Sequence, residues 1–119
     1  MKVLLVLGTR PHFMKAAPLL AELRKKGIDF VLVHTGQHYD YEMSEVFLKE
    51  FNFPQIKYNL EVGSGTHGVQ TGKMMAALDS VLLKEKPDVV LVMGDTNTTL
   101  AGALCAYKLH FPVGHIESG

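Results

Sequence analysis

Residues 3–11 read VLLVLGTRP: five apolar side chains in an unbroken run, followed at once by Gly8, Thr9, Arg10 and Pro11. A strand with one wet face alternates polar and apolar residues, whereas a continuous apolar run is expected of a strand covered on both faces, as in a parallel sheet. The same pattern returns at Val89–Met93 (VVLVM), which leads into Gly94-Asp95-Thr96-Asn97-Thr98-Thr99, and at Phe30–Val33 (FVLV), which leads into Thr35-Gly36-Gln37-His38-Tyr39. Pro112–Ile116 (PVGHI) is a weaker fourth strand. Tyr58–Val62 is short, its apolar residues alternate with Asn59 and Glu61, and it reads as an edge strand.

Helical stretches separate these runs. Pro11–Lys26 sets Leu19, Leu20 and Leu23 on one face, turns Glu22, Arg24, Lys25 and Lys26 to water, and ends at Gly27. Pro18 inside it is expected to kink or restart the helix. Glu42–Phe51 reads as a second helix with Met43, Val46 and Phe47 inward, and Val69–Lys84 as a third with Leu78, Val81 and Leu82 inward. Thr96–Leu109 is the fourth, with Leu100, Leu104 and Tyr107 as its apolar face. The alternation predicts an α/β fold, a Rossmann-like three-layer αβα domain on a parallel sheet of about five strands. Right-handed crossovers favour the order 3-2-1-4-5, in which the first and fourth strands are neighbours. Ligands of open parallel sheets bind beyond the carboxyl ends of the strands where the winding reverses, so the residues after Leu7 and Met93 are the ones to inspect.

Composition narrows the function. The chain has 119 residues, 47% hydrophobic and 20% charged, which fits one domain or part of one and excludes disorder, collagen-like repeats and a coiled coil. Twelve Lys plus Arg balance twelve Asp plus Glu, so no broad positive field exists for nucleic acid. Cys105 is the single cysteine, which excludes an internal disulfide and a cysteine-paired zinc site. Val3–Leu7 is too short for a signal-peptide core or a membrane span. A cytoplasmic protein without membrane segment, metal or cofactor is expected.

The turn after the first strand, GTRP, opens a helix whose free N–H groups and positive dipole end favour an anion, and Arg10 would add forked donors for phosphate. The motif is neither GxGxxG nor a Walker A loop, and a plain strand-to-helix turn with a surface Arg reads it equally well. Lys15, one helical turn on, faces either the same anion or solvent. Asp95, at the start of a helix, is first of all an N-cap; at the switch point it is also suited to accept a proton, with Thr96 able to take over the cap. His115 and Glu117 share one face of the last strand by alternation, His115 as a buried, hydrogen-bonded side chain and Glu117 within reach of the cleft that holds Asp95. The loop Gly63-Ser64-Gly65-Thr66-His67-Gly68 is either a wall of that cleft or an ordinary connection. A metal pair of His38 and His67 is rejected for want of a third ligand. Met74 and Met75 read as core and rim.

Taken together, LVLGTRPHFMKAAPLL, TGQHYDYEM, PDVVLVMGDTNTTLAGALCAY and PVGHIESG resemble, in order and spacing, the N-terminal part of the UDP-N-acetylglucosamine 2-epimerases, over essentially the whole chain. The resemblance implies two Rossmann-like domains in the GT-B arrangement, with a UDP-sugar held between them. It further implies interconversion of UDP-N-acetylglucosamine and UDP-N-acetylmannosamine, or release of N-acetylmannosamine in a hydrolysing branch. The C2 hydrogen of the sugar is barely acidic because no carbonyl adjoins it. UDP therefore leaves C1 first, the C2 proton is lost to give a 2-acetamidoglucal, and proton and UDP return with inversion at C2. Such chemistry needs cations on the diphosphate and carboxylates for the protons. By resemblance Arg10 and Lys15 fall on the family's substrate-binding basic positions, and Asp95 and Glu117 on its catalytic carboxylates.

Two departures stand out: His12 where the family usually carries Glu, and Ser118 where Ala is common. The family also continues for more than twice this length, so the chain is expected to be an N-terminal domain whose partner domain lies beyond Gly119, and to be inactive alone. Its last strand would then sit at an exposed edge, which a homodimer is one way to cover. Two other readings share the motifs: a GT-B glycosyltransferase, which needs an acceptor and no exchange at C2, and a non-catalytic nucleotide-binding α/β module in which Asp95 only caps a helix.

Overall fold

The computed structural model describes residues 1–36, 54–63, 65–94 and 96–116, with Arg10 described by its backbone alone. In chain order the elements are β1 (Lys2–Leu7), α1 (Arg10–Lys25), β2 (Asp29–His34), β3 (Tyr58–Asn59), α2 (His67–Glu85), β4 (Val89–Met93), α3 (Asn97–Lys108) and β5 (Val113–Ile116). The helix expected over Glu42–Phe51 lies outside the described residues.

The five strands form one parallel sheet in the order β3-β2-β1-β4-β5, the order expected from right-handed winding. Register is even across the centre: Leu4 pairs with Val31 and Val90, Val6 with Val33 and Val92. Successive residues of β1 serve opposite layers, which is why the run is apolar throughout. Leu4 and Val6 pack with Val31, Val33, Val90 and Val92 under α2 and α3, through Met74, Leu78, Leu82, Ala101 and Cys105. Val3, Leu5 and Leu7 pack with Leu32 and Met93 under Phe13, Ala16, Leu20 and Leu23 of α1.

Several boundaries and faces differ from expectation. Helix α1 runs through Pro18 without a break; Pro18 and the preceding turn's Met14 both face solvent, so water can take the Met14 carbonyl that loses its donor. Past Lys26, Gly27 adopts a left-handed φ of 70°, its N–H bonds to the Arg24 carbonyl and that of Ile28 to Leu23, a paired closure that ends the helix. Strand β3 is two residues long because Glu61 turns left-handed (φ 51°), although Leu60, Val62 and Gly63 still donate to His34, Thr35 and Gly36.

The larger correction concerns α3. Leu100 and Tyr107, expected inside, are 55% and 71% exposed, while Thr98, Thr99, Ala101, Gly102, Cys105 and Ala106 are buried. The helix lies so close to the sheet that a Cβ on Gly102 would come within 2.8 Å of Val92 Cγ1. Only small residues fit that face, and the bulky ones turn away. Cys105 belongs to this packing: burial, with Asp79 nearby, pushes its thiol up to about 12, and it donates weakly to the Met75 carbonyl. Met74 is buried in the core and Met75 packs at its margin, as expected.

Candidate functional site

Parallel strands gather their carboxyl ends on one rim, and α1 leaves that rim on one face of the sheet while α3 leaves it on the other. The gap between β1 and β4 is therefore the switch point. Both helices begin there on threonine N-caps, Thr9 and Thr96, that make no side-chain cap hydrogen bond, and neither has an acidic residue in its first turn. The N-cap of α2, Thr66, does accept from Val69 N–H. The two helix starts flanking the switch point thus keep the positive ends of their dipoles turned to the rim, which favours an anion.

Below the rim the packing is tight. Thr35 Oγ1 and Thr98 Oγ1 hydrogen-bond at 2.9 Å, joining the end of β2 to the first turn of α3. A Cβ at Gly8 would lie 2.1 Å from Thr98 Oγ1 and 2.7 Å from Thr35 Oγ1, so glycine is required by space. Gly8 N–H donates to His12 Nδ1 at 3.0 Å. His12 is buried, and its Nδ1, being an acceptor, is unprotonated. A Cβ at Gly94 would stand 3.3 Å from His12 Nε2, so this ring spans the turns after β1 and β4. His34 packs edge-on to Phe13 at 5.0 Å, and burial lowers its pKa.

The turn after β4 is held from three sides. Thr99 Oγ1 donates to the Met93 carbonyl, Gly94 N–H donates to Ile116 O at 3.3 Å, and His115 Nε2 donates to Gly94 O at 2.6 Å. Gly94 itself takes φ 70°, a conformation glycine adopts without strain. His115 is hydrogen-bonded as expected but exposed rather than buried, because β5 is an edge strand with no neighbour beyond it among the described residues.

Beyond β3 the chain returns to the same rim. Gln70 Nε2 donates to Gly63 O at 2.8 Å, and Asn97 Nδ2 donates to Gln70 Oε1 at 2.8 Å and to His67 Nδ1 at 2.9 Å. The segment around Gly63 is thereby tied to the first turn of α3.

Of the four site residues read from sequence, Lys15 is exposed on α1, and Arg10 begins that helix with its side chain outside the description. Asp95 and Glu117 lie outside the described residues, as does His38. Their chain neighbours are described: Gly94 ends the turn of β4, Ile116 ends β5, and Met93 pairs with Ile116. The N-cap position of α3 falls on Thr96. Among the described residues no group of three His, Cys, Asp or Glu could hold a metal ion, and no helix is long and apolar enough to cross a membrane. Sequence reasoning missed the pairing of Thr35 with Thr98 and of Gln70 with Asn97. Gln70 had a signal: it is a polar residue on the same inward stripe as Met74, Leu78 and Val81.

Comparison with known proteins agrees with this architecture. The family model described as UDP-N-acetylglucosamine 2-epimerase matches residues 21–119. A UDP-N-acetylglucosamine 2-epimerase of Methanocaldococcus jannaschii is 56% identical over all 119 residues, which span 32% of the relative. A crystal structure of the UDP-GlcNAc 2-epimerase of that organism, in complex with UDP-GlcNAc and UDP, superposes with a TM-score of 0.93 at 55% identity, covering 98% of this chain and 32% of that one. A UDP-2,3-diacetamido-2,3-dideoxy-D-glucuronate 2-epimerase of Pseudomonas aeruginosa is 49% identical over the whole chain and 34% of its own length. A Streptomyces sp. SF2575 glycosyltransferase shares the fold alone, with a TM-score of 0.68 at 19% identity over 98% of this chain and 39% of its own. The chain spans about a third of the length of the epimerases it matches. With its doubly wound sheet, its rim of glycine turns and a family match over residues 21–119, the chain belongs to the UDP-N-acetylglucosamine 2-epimerase family.

Proposed function

We propose that this chain forms the N-terminal wall of a UDP-N-acetylglucosamine 2-epimerase of the GT-B arrangement, interconverting UDP-N-acetylglucosamine and UDP-N-acetylmannosamine. The observation that carries the reading is the meeting of the turns after β1 and β4 at adjacent strand ends, where two helices begin on threonines whose own side chains make no cap hydrogen bond. A diphosphate needs that electropositive rim, and Arg10 and Lys15 are its proposed cationic partners. Departure of UDP from C1 builds positive charge on the sugar, which makes C2–H acidic enough for a carboxylate to remove. Asp95, two residues past Met93, and Glu117, one past its strand partner Ile116, are the proposed acid and base. The other carboxylate delivers a solvent-derived proton to the opposite face of C2 as UDP adds back to C1, which gives the epimer, and proton exchange with water returns both carboxylates to their starting states.

A second domain from a relative completes the cleft for the test. This chain replaces the matching third of the Methanocaldococcus jannaschii enzyme, and the chimera is incubated with UDP-N-acetylglucosamine in deuterated water. Deuterium at C2 of recovered UDP-sugar is expected. Its absence in a folded chimera would overturn the epimerase reading and return attention to a glycosyltransferase or to a binding module.

The Pseudomonas relative supports a second substrate, UDP-2,3-diacetamido-2,3-dideoxy-D-glucuronate, through the same chemistry at C2. Running both UDP-sugars in parallel separates them by kcat/KM. The same reading extends to a cytoplasmic enzyme that supplies an activated sugar for polysaccharide synthesis, with a homodimer covering the edge at β5.

A further inference from the structure

The polar chain at the rim has only one internally consistent direction. The Gly63 carbonyl can only accept, so the amide nitrogen of Gln70 faces it. Gln70 Oε1 then faces Asn97 and must accept, which turns the Asn97 amide nitrogen toward it. The second N–H of that nitrogen reaches His67 Nδ1, which accepts in turn. A single backbone carbonyl thus sets the orientation of three side chains, Gln70 and His67 of α2 and Asn97 of α3. Gln70 is 7% exposed, and Gly63 has its other polar group engaged as well, its N–H donating to Gly36 O. Gly63 is therefore clamped between the turn after β2 and the first turn of α3.

We propose that Gln70 is a positioning residue: by bridging Gly63 and Asn97 it fixes the segment after β3 to the start of α3, so that this wall of the sugar-nucleotide cleft and the switch-point turn keep one spacing. The function of that wall rests on the epimerase reading; the clamp itself does not. A bulk-filling role for Gln70 would be served by any side chain of its size. A clamp needs a donor at one end and an acceptor at the other.

Three variants of the chimera separate these roles: Gln70→Glu, which keeps the size and loses the donor, Gln70→Met, which loses both functions, and Asn97→Asp. The last loses the donors at a half-buried first-turn position where a carboxylate suits the helix dipole, so folding is not at risk. Amide hydrogen exchange over residues 60–66 and steady-state kinetics with UDP-N-acetylglucosamine are measured on each. Exchange in that segment is expected to rise about tenfold in all three while β1 stays protected. KM should rise several-fold, with kcat held within about twofold. Wild-type exchange in Gln70→Glu, or in Asn97→Asp, overturns the clamp. An unmodified chimera that incorporates no deuterium at C2 overturns the epimerase reading instead, and the exchange data still decide the clamp.

Discussion

Thr35 and Thr98, 63 residues apart in the chain, join their hydroxyls at 2.9 Å over the backbone of Gly8. The contact fastens the end of β2 to the start of α3 across the end of β1, and it exists because Gly8 has no side chain. Replacing Gly8 by Ala sets a methyl 2.1 Å from Thr98 Oγ1, inside contact distance, with both threonines buried. Gly8→Ala is expected to cost about 1–3 kcal/mol, the usual range for overpacking, read as a shift of the urea midpoint. Adding Thr98→Ala relieves the closest clash, so the double variant should lose less than the sum of the two single ones.

Helix α3 offers a paired comparison on its two faces. Gly102→Ala drives a methyl to 2.8 Å from Val92 Cγ1 and is expected to destabilise by about 1–3 kcal/mol. Tyr107→Lys, at a position 71% exposed, should stay within about 0.5 kcal/mol of the unmodified chain by the same denaturation measurement. The opposite ranking would follow from the sequence-based face, with Tyr107 inside.

That reversal marks where the sequence is legible. Continuous apolar runs locate three of the strands, and the handedness of crossovers sets the order; both rest on properties local to a few residues or common to every L-peptide. The inward face of α3 depends on the distance between helix and sheet, which no periodicity of bulk encodes, so the sequence points to Leu100, Leu104 and Tyr107 where the structure buries Ala101, Gly102 and Cys105. The rim is legible to the same degree. GTRP and GDT are contiguous and announce themselves, whereas Thr35 with Thr98, and Gln70 with Asn97, become partners only when separate crossovers bring their elements together.

At the opposite end of the sheet Glu85 gathers three donors. Lys2 Nζ lies 2.6 Å away and Lys57 Nζ 2.9 Å, and Tyr58 donates its hydroxyl, which ties α2 to β1 and β3. These hydrogen bonds, that from Lys2 first, draw the Glu85 carboxyl down from the ordinary 4.5 to about 2 against the opposing effect of burial. A carboxyl pKa below its unfolded value contributes stability that is complete above about 4.5 and is lost as pH falls towards 2. Glu85→Gln should therefore cost roughly 2 kcal/mol at neutral pH and little at pH near 2, measured by denaturant unfolding across that window. At the alkaline end the hydrogen bond to Glu85 pushes the Tyr58 hydroxyl up to about 12, so its contribution persists below 10 and fades as pH rises through 12.

The two proposed carboxylates are separable from a capping role by asparagine. Thr96 holds the N-cap position of α3, and Asn caps a helix about as well as Asp. In the chimera, Asp95→Asn should leave the unfolding free energy from urea titration within about 0.5 kcal/mol, since Asn keeps the shape of Asp and Thr96 keeps the N-cap position. Loss of a general acid or base lowers turnover by roughly two to four orders of magnitude, and deuterium incorporation at C2 should fall with it. Glu117→Gln should lower turnover comparably. If elimination uses one carboxylate and reprotonation the other, the two variants differ in which epimer still exchanges its C2 hydrogen. Starting each variant from UDP-N-acetylglucosamine and, separately, from UDP-N-acetylmannosamine reads out that difference, and equal wild-type turnover in both variants would leave the proton transfers to other residues.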